Sequence, residues 1–393
     1  MKLSTKSILN LEALEERLTP AFDFFYNPAG DIWTVTQVQD DGDATITVDA
    51  ITNDLVVDDG AGGPVTVGVA LGSLTVHLMD NSSGDLTVQL DEFLFGNVSI
   101  HLGNGGDFDG DGNRNLDLTG ISNTVLGNFS VTGGTSDQVV DLSTLALLSV
   151  GGSFNMNLGL GNDAVFATSG VSVGGSMSLF NVNFIDIDSA GATVGGNVSI
   201  RMTDNEPSFY NISAGVSVIG GNFTYTGGNS TDVVFLDGGD IIGGSVNIYV
   251  GNDILGGLQG VALEGATIGG NLTFRGGTID GADLVSSDVD TIIGGSIYVN
   301  TGTLGDDIVT LLGTNGGNAV SVITGLGDDV IDYGMIGANA RLYASMSLGD
   351  DTFILGDNVT LSYLYIDFGF GSDIYTSLYV GPYPFRVYLR NLP

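Results

Sequence analysis

A glycine, then Asn or Ser, then an apolar-polar-apolar triplet returns along most of this chain, and few folds can accommodate that pattern. With the second residue of each Gly-Gly or Xaa-Gly pair in register, the glycines fall at 72, 96, 127, 152, 175, 196, 221, 244, 270, 295, 317, 337 and 356. Most steps are 19 to 26 residues, and the residue after the glycine is Asn or Ser from Asn97 through Asn318. Two and four places after the glycine stand apolar pairs such as Phe154/Met156, Met177/Leu179, Phe223/Tyr225 and Leu272/Phe274. Alternation of this kind is the period of a strand with one buried face.

Many repeats carry a second strand behind a Gly/Asp/Asn turn: DAVFAT, DVVFLD, DIVTLL, DVIDYG and DTFILG. Several short strands per 20 to 26 residues, with no helix-length segment between them, predict an all-β chain. The predicted fold is a right-handed parallel β-solenoid (β-helix) of about 13 coils with end caps. Equivalent strands about 4.8 Å apart make this a rod of roughly 60 Å. Phe154, Met177, Val198, Phe223, Val246, Leu272 and Ile297 are expected in one inward column. The expected divisions are a targeting or disordered segment at 1–20, an N-terminal β cap at 21–65 around Trp33, the solenoid at 66–375, and a C-terminal cap at 376–393. The second cap is expected because Pro382 and Pro384 break the pattern.

Composition narrows the partners. The formal net charge is −37, both lysines (Lys2 and Lys6) lie at the start, and the seven arginines are scattered, so the clustered basic surface that nucleic acid requires is not expected. A 42% hydrophobic content argues for a folded body rather than an acidic tail. Without cysteine there is no disulfide, zinc-thiolate or thiol chemistry. No apolar run approaches the ~18 residues of a membrane span.

The first residues, MKLSTKSILNLEALEERLTPAF, lack the apolar core of an ordinary signal peptide. The run LEALEERLTPA resembles the short L-E-x-L-E-x-R-x-x-P segment carried by many predicted exported surface proteins of bacteria with elaborate envelopes. That resemblance implies an extracellular or cell-surface destination. A short exposed helix ended by Pro20 is the other reading.

The acidic residues are 40 Asp against six Glu, an excess that fits both turns and calcium ligation. Asp307, Asp329, Asp351 and Asp373 recur every 22 residues, and Asp306, Asp328 and Asp350 precede the first three. In a solenoid these form two columns whose neighbours stand about 5 Å apart, where repulsion is roughly 0.8 kcal/mol per pair in water and roughly 3 at an effective dielectric of 20. A cation between coils would reverse that cost; hydrated Asx turns are the alternative. The turns at Gly159–Val165, Gly325–Ile331 and Gly369–Tyr375 resemble the G-x-G-x-D-x-U part of the secreted RTX nonapeptide, U being a large apolar residue. The resemblance implies calcium held by Asp163, Asp329 and Asp373, and by Asp307 and Asp351 in the same columns. Here the motif comes once per coil instead of in tandem nines. A separate candidate is DFDGDGNRNLDL, where Asp107, Asp109 and Asp111 before Gly112 reproduce the start of an EF-hand-type loop, although position 12 is Leu118. An acidic insertion is the alternative there.

Catalytic constellations are harder to assemble. Arg201 and Arg275 take the same place in their coils but three coils apart, and His77 and His101 sit at outward strand positions. The N-x-S/T triplets at Asn97, Asn128, Asn197, Asn222 and Asn271 follow from the strand pattern itself. The expected function is that of an exported, non-enzymatic structural or adhesion protein of the bacterial surface or matrix, with calcium as a stabilising ion. Its expected partner is envelope or extracellular polysaccharide, or another surface protein. A polysaccharide lyase or hydrolase on the same fold is the alternative, resting on fold analogy alone.

Overall fold

A computed structural model describes residues 22–392 apart from 38–42, 50–51, 53, 59–63, 70–71, 80–84, 90–93, 105–113, 121–122, 143–146, 162, 168–169, 188–191, 203–207, 213–216, 230, 237–238, 253–258, 279–280, 338–339 and 380–385. The described residues form an all-β parallel solenoid without helix, built from three sheets of 16, 16 and 11 strands. We call these sheets A, B and C in the order in which each coil visits them. One coil shows the logic. Phe154–Asn157 lies in sheet A, Ala164–Ala167 in sheet B and Gly170–Val173 in sheet C. Gly174 and Gly175 then return the chain to sheet A at Met177–Phe180.

The expected inward column is present: Phe154 pairs with Met177, and the parallel register runs on through Val198, Phe223, Val246 and Leu272 to Ile297. All seven side chains are buried. Phe129 continues the column one coil earlier, with its ring stacked on Phe154 at 5.4 Å. Each coil therefore closes its apolar face only against its neighbours, which shares the stability along the rod.

The corner from sheet C to sheet A explains the glycine pairs. The Gly221 N–H donates to Gly196 O at 2.8 Å and the Gly244 N–H to Gly221 O at 2.8 Å, so the second glycines form a hydrogen-bonded file. Beside it runs a file of Asn and Ser oxygens. Asn197 Oδ1 accepts from the Asn222 N–H, and Asn222 Oδ1 from the Ser245 N–H, both at 2.8 Å. A Cβ on Gly244 would lie 2.3 Å from Asn222 Oδ1, so the glycine and the polar residue of the coil before are one packing unit. The N-x-S/T triplets thus mark an inter-coil ladder.

Among the described residues, eleven coils have all three strands. That is fewer than the thirteen expected, because the coils of Ala340–Ser345 and Leu361–Asp367 have strands in sheets A and B only. At the N-terminal end, Phe22–Asn27 runs antiparallel to Ile32–Gln37, and Ala44–Val48, Asp54–Asp58 and Val65–Val69 form an antiparallel run on sheet B. Trp33 is buried there with Tyr26 against it at 4.8 Å. The C-terminal end differs. Ile374–Ser377 and Arg386–Arg390 extend sheets B and A in the same parallel sense, and Phe370, Ile374 and Leu378 are exposed beside them. The residues from 376 onward thus include the last strand of sheet A.

Candidate functional site

The corner from sheet A to sheet B gathers the aspartates singled out by their spacing. From Gln138–Asp141 onward, each strand of sheet B is preceded, or begun, by a polar residue. Through the parallel register these residues form one column: Gln138, Asp163, Asn183, Ser208, Asp232, Gln259, Asp283, Asp307, Asp329, Asp351 and Asp373. All of them except Ser208, whose side chain is not described, are buried. The column takes in Asp163, Asp307, Asp329, Asp351 and Asp373 as predicted, and adds Gln138, Asn183, Asp232, Gln259 and Asp283. Asp107, Asp109 and Asp111 lie outside the described residues.

The chemistry of the column is acceptor to amide. Asp163 Oδ1 accepts from the Gln138 N–H at 2.8 Å, and Asn183 Oδ1 from the Asp163 N–H at 3.0 Å. Asp307 Oδ1 accepts from the Asp283 N–H and Asp329 Oδ1 from the Asp307 N–H, both at 2.9 Å. Asp351 and Asp373 repeat the contact to the Asp329 and Asp351 N–H groups at 3.0 Å. Asp163, Asn183, Asp307, Asp329, Asp351 and Asp373 therefore each reach back one coil to satisfy a buried peptide N–H that lies outside the regular ladder.

The neighbouring outer column reaches the other way. Asp306 Oδ1 accepts from the Asp328 N–H at 2.9 Å, Asp328 from the Asp350 N–H at 2.8 Å, and Asp350 from the Ser372 N–H at 2.8 Å. These carboxylates are exposed. The two columns lace each coil to both of its neighbours.

The second carboxylate oxygens of the inner column meet different surroundings. The Thr301 hydroxyl donates to Asp307 Oδ2, and Thr324 occupies the same register beside Asp329. One coil on, that place is taken by Met346, and in the next by Phe368. Among the described residues no donor completes a hydrogen bond to Oδ2 of Asp329, Asp351 or Asp373. Burial, with the Asp329, Asp373 and Asp328 carboxylates adding to it, pushes Asp351 up to about 6 against the single amide that holds it down. Asp329 is also raised by burial, opposed by the Thr324 hydroxyl and the Asp307 amide.

Calcium needs six to eight oxygens converging on one point. Here every Oδ1 in the 22-residue columns is engaged by an amide of an adjacent coil, and among the described residues no group of three or more His, Asp or Glu side chains is placed to hold a metal ion. The described columns as arranged do not fit the ion.

Two grooves lie on the outer surface. One, of about 470 Å³, runs beside the A-to-B corner and is lined by Arg201, Thr226, Asn229, Asn252 and Thr278 among others. Another, of about 420 Å³, lies on sheet A near the C-terminal end between Arg341, Tyr343, Ser362, Tyr363 and Arg386. Arg201 and Arg275 are three strands apart in one column, as expected from their spacing. Arg275 packs over the rings of Tyr249 and Tyr298 at 5.7 and 5.4 Å, a cation–π contact with each. His77 and His101 stack ring on ring at 4.5 Å on the outer face of sheet A, where burial and the His77 charge hold His101 below the ordinary imidazole range. No family model, curated protein or solved structure matches this chain.

Proposed function

We propose that this chain is an exported, non-enzymatic structural or adhesion protein of a bacterial surface or matrix, which meets envelope polysaccharide or another surface protein along sheet A. The observation that carries this reading is the outward face of that sheet. Ser99, Ser130, Asn155, Ser178, Ser199, Thr224, Asn247 and Thr273 follow one another in a single column, one per coil. They form a strip of small hydroxyl and amide groups on a stiff backbone. Over eight strands such a strip spans roughly 34 Å, enough to hydrogen-bond several units of an extended polymer without enclosing any one of them. The targeting-like segment LEALEERLTPA agrees with export.

The test uses the full chain immobilised on a support. Envelope polysaccharide should be retained and should elute with unchanged size. Shortened chains or new reducing ends in the eluate would replace this reading with the enzymatic one.

A further inference from the structure

Resting on that reading, we propose a specific site within it: the groove at the C-terminal end of sheet A binds an acidic polysaccharide in which charged and uncharged sugar residues alternate. In a chain with nine basic residues and a net charge of −37, two arginines on one strand column are conspicuous. The register places Arg341 beside Tyr363 and Tyr363 beside Arg386. The two guanidinium-bearing residues are thus two strand steps apart, roughly 10 Å, with a tyrosine between them. Both are exposed, and among the described residues neither forms an ion pair; the one salt bridge found joins Arg390 to Asp367 at 3.2 Å.

The aromatic side of the groove is continuous. Tyr343 and Tyr363 have ring centroids 5.5 Å apart, and Tyr363 and Tyr388 5.3 Å. Sugar rings stack on such surfaces through their C–H faces, while guanidinium groups take carboxylates in charge-assisted, two-pronged hydrogen bonds. The backbone is also irregular here. Ser362 is the extra residue of a bulge that shifts the register between Ala340 and Arg341, and bulges re-aim neighbouring side chains. The Arg-Tyr-Arg order sets the ligand: a charge at each end, and over Tyr363 a ring with no charge of its own. A nucleic acid strand carries a charge on every residue and would put one over the tyrosine.

The probes are a hyaluronan hexasaccharide, in which uronate and uncharged sugar alternate, a fully charged polygalacturonate hexasaccharide, an uncharged chitin hexasaccharide and oligothymidylate, each titrated calorimetrically into the full chain. Hyaluronan should bind best, with the uncharged oligomer at least tenfold weaker. Arg341→Gln and Arg386→Gln should each weaken it about tenfold, the expected effect of losing one charged hydrogen bond. Tyr363→Ala should weaken charged and uncharged oligomers alike. All three side chains lie on the outer face, and an unchanged melting temperature would show the variants folded. Absence of hyaluronan binding, unchanged binding by the double arginine variant, or tighter binding of oligothymidylate would overturn the site. If the same double variant is still retained by envelope polysaccharide, only this site falls; if the wild-type chain is not retained, or cuts the polymer, the parent reading falls.

Discussion

Between Gln138 and Gln259 the inner column sets single acidic side chains among neutral ones, whereas between Asp283 and Asp373 five carboxylates follow one another. In the first region Asp163 stands between Gln138 and Asn183, and Asp232 between Ser208 and Gln259. The mechanical role is the same in both, since the amide oxygen of Asn183 and the carboxylate oxygen of Asp329 each accept one N–H from the preceding coil. Charge is therefore not what the ladder requires. The carboxylates of the second region need something beyond the amide; the Thr301 hydroxyl donates to Asp307, and the Thr324 hydroxyl beside Asp329 opposes the rise that burial causes there. Where Met346 replaces them, burial and the neighbouring carboxylates push Asp351 up to about 6.

The largest effect should come from removing the acceptor itself. Asp329→Leu deletes the partner of the buried Asp307 N–H and should cost about 2 kcal/mol, the penalty for a buried amide left unsatisfied. Asp329→Asn keeps the oxygen and should be neutral or slightly stabilising at pH 7. Thermal denaturation of both variants makes the comparison, and equal stability of the two would mean the ladder carries no load.

A smaller effect separates charge from acceptor at Asp351. Its folded pKa lies above the ordinary value of 3.8, so the folded chain holds a proton that the unfolded chain releases. The resulting stabilisation is complete below pH 4 and is lost as pH rises through about 6. Asp351→Asn does not titrate. It should exceed wild type at pH 7 by on the order of 1 kcal/mol, discounted from the full linkage for solvent screening near the rod end, and lose that advantage at pH 4. An advantage independent of pH would assign the effect to packing.

The reciprocal change should be smaller again. Asn183→Asp puts a carboxylate beside Asp163 in the mixed region and should lower stability by somewhat under about 1 kcal/mol at pH 7, vanishing at pH 4. If it were silent at both pH values, the separation of acidic residues by neutral ones in the first region would have no electrostatic meaning.

How far these columns could be read in advance depended on residue type. The inward file of sheet A was legible from Phe154 to Ile297 because apolar side chains alternate with small polar ones at a constant distance from a glycine. The 22-residue recurrence of Asp307, Asp329, Asp351 and Asp373 was legible as a column, but not as a buried one. An aspartate behind a glycine turn ordinarily faces water, and only the unsatisfied N–H of the adjacent coil draws it inward. Gln138, Asn183 and Gln259 were hidden because different residue types occupy one register position and the coil length varies before residue 283. The strand at Arg386–Arg390 was hidden because Pro382 and Pro384 signal a break. The column of Arg341, Tyr363 and Arg386 was hidden by the bulge at Ser362, which makes its two steps unequal.

The smallest expected effect is a null difference between ions. Calcium and sodium at matched ionic strength should raise the melting temperature equally and slightly, through screening of the exposed file Asp306, Asp328 and Asp350. Coordination through Oδ1 would require these carboxylates or the inner ones to abandon the amides of adjacent coils, leaving each N–H unsatisfied, and the Oδ2 atoms of the inner column alone fall short of a calcium shell of six to eight oxygens. A calcium-specific gain abolished in the double variant Asp329→Asn, Asp351→Asn would show that the inner oxygens do turn to a metal, and that the acidic region differs from the mixed one by ligand as well as by charge. A calcium-specific gain that survives the double variant would instead direct attention to Asp107, Asp109 and Asp111, whose spacing is that of a calcium loop and whose substitution by Asn should then remove it.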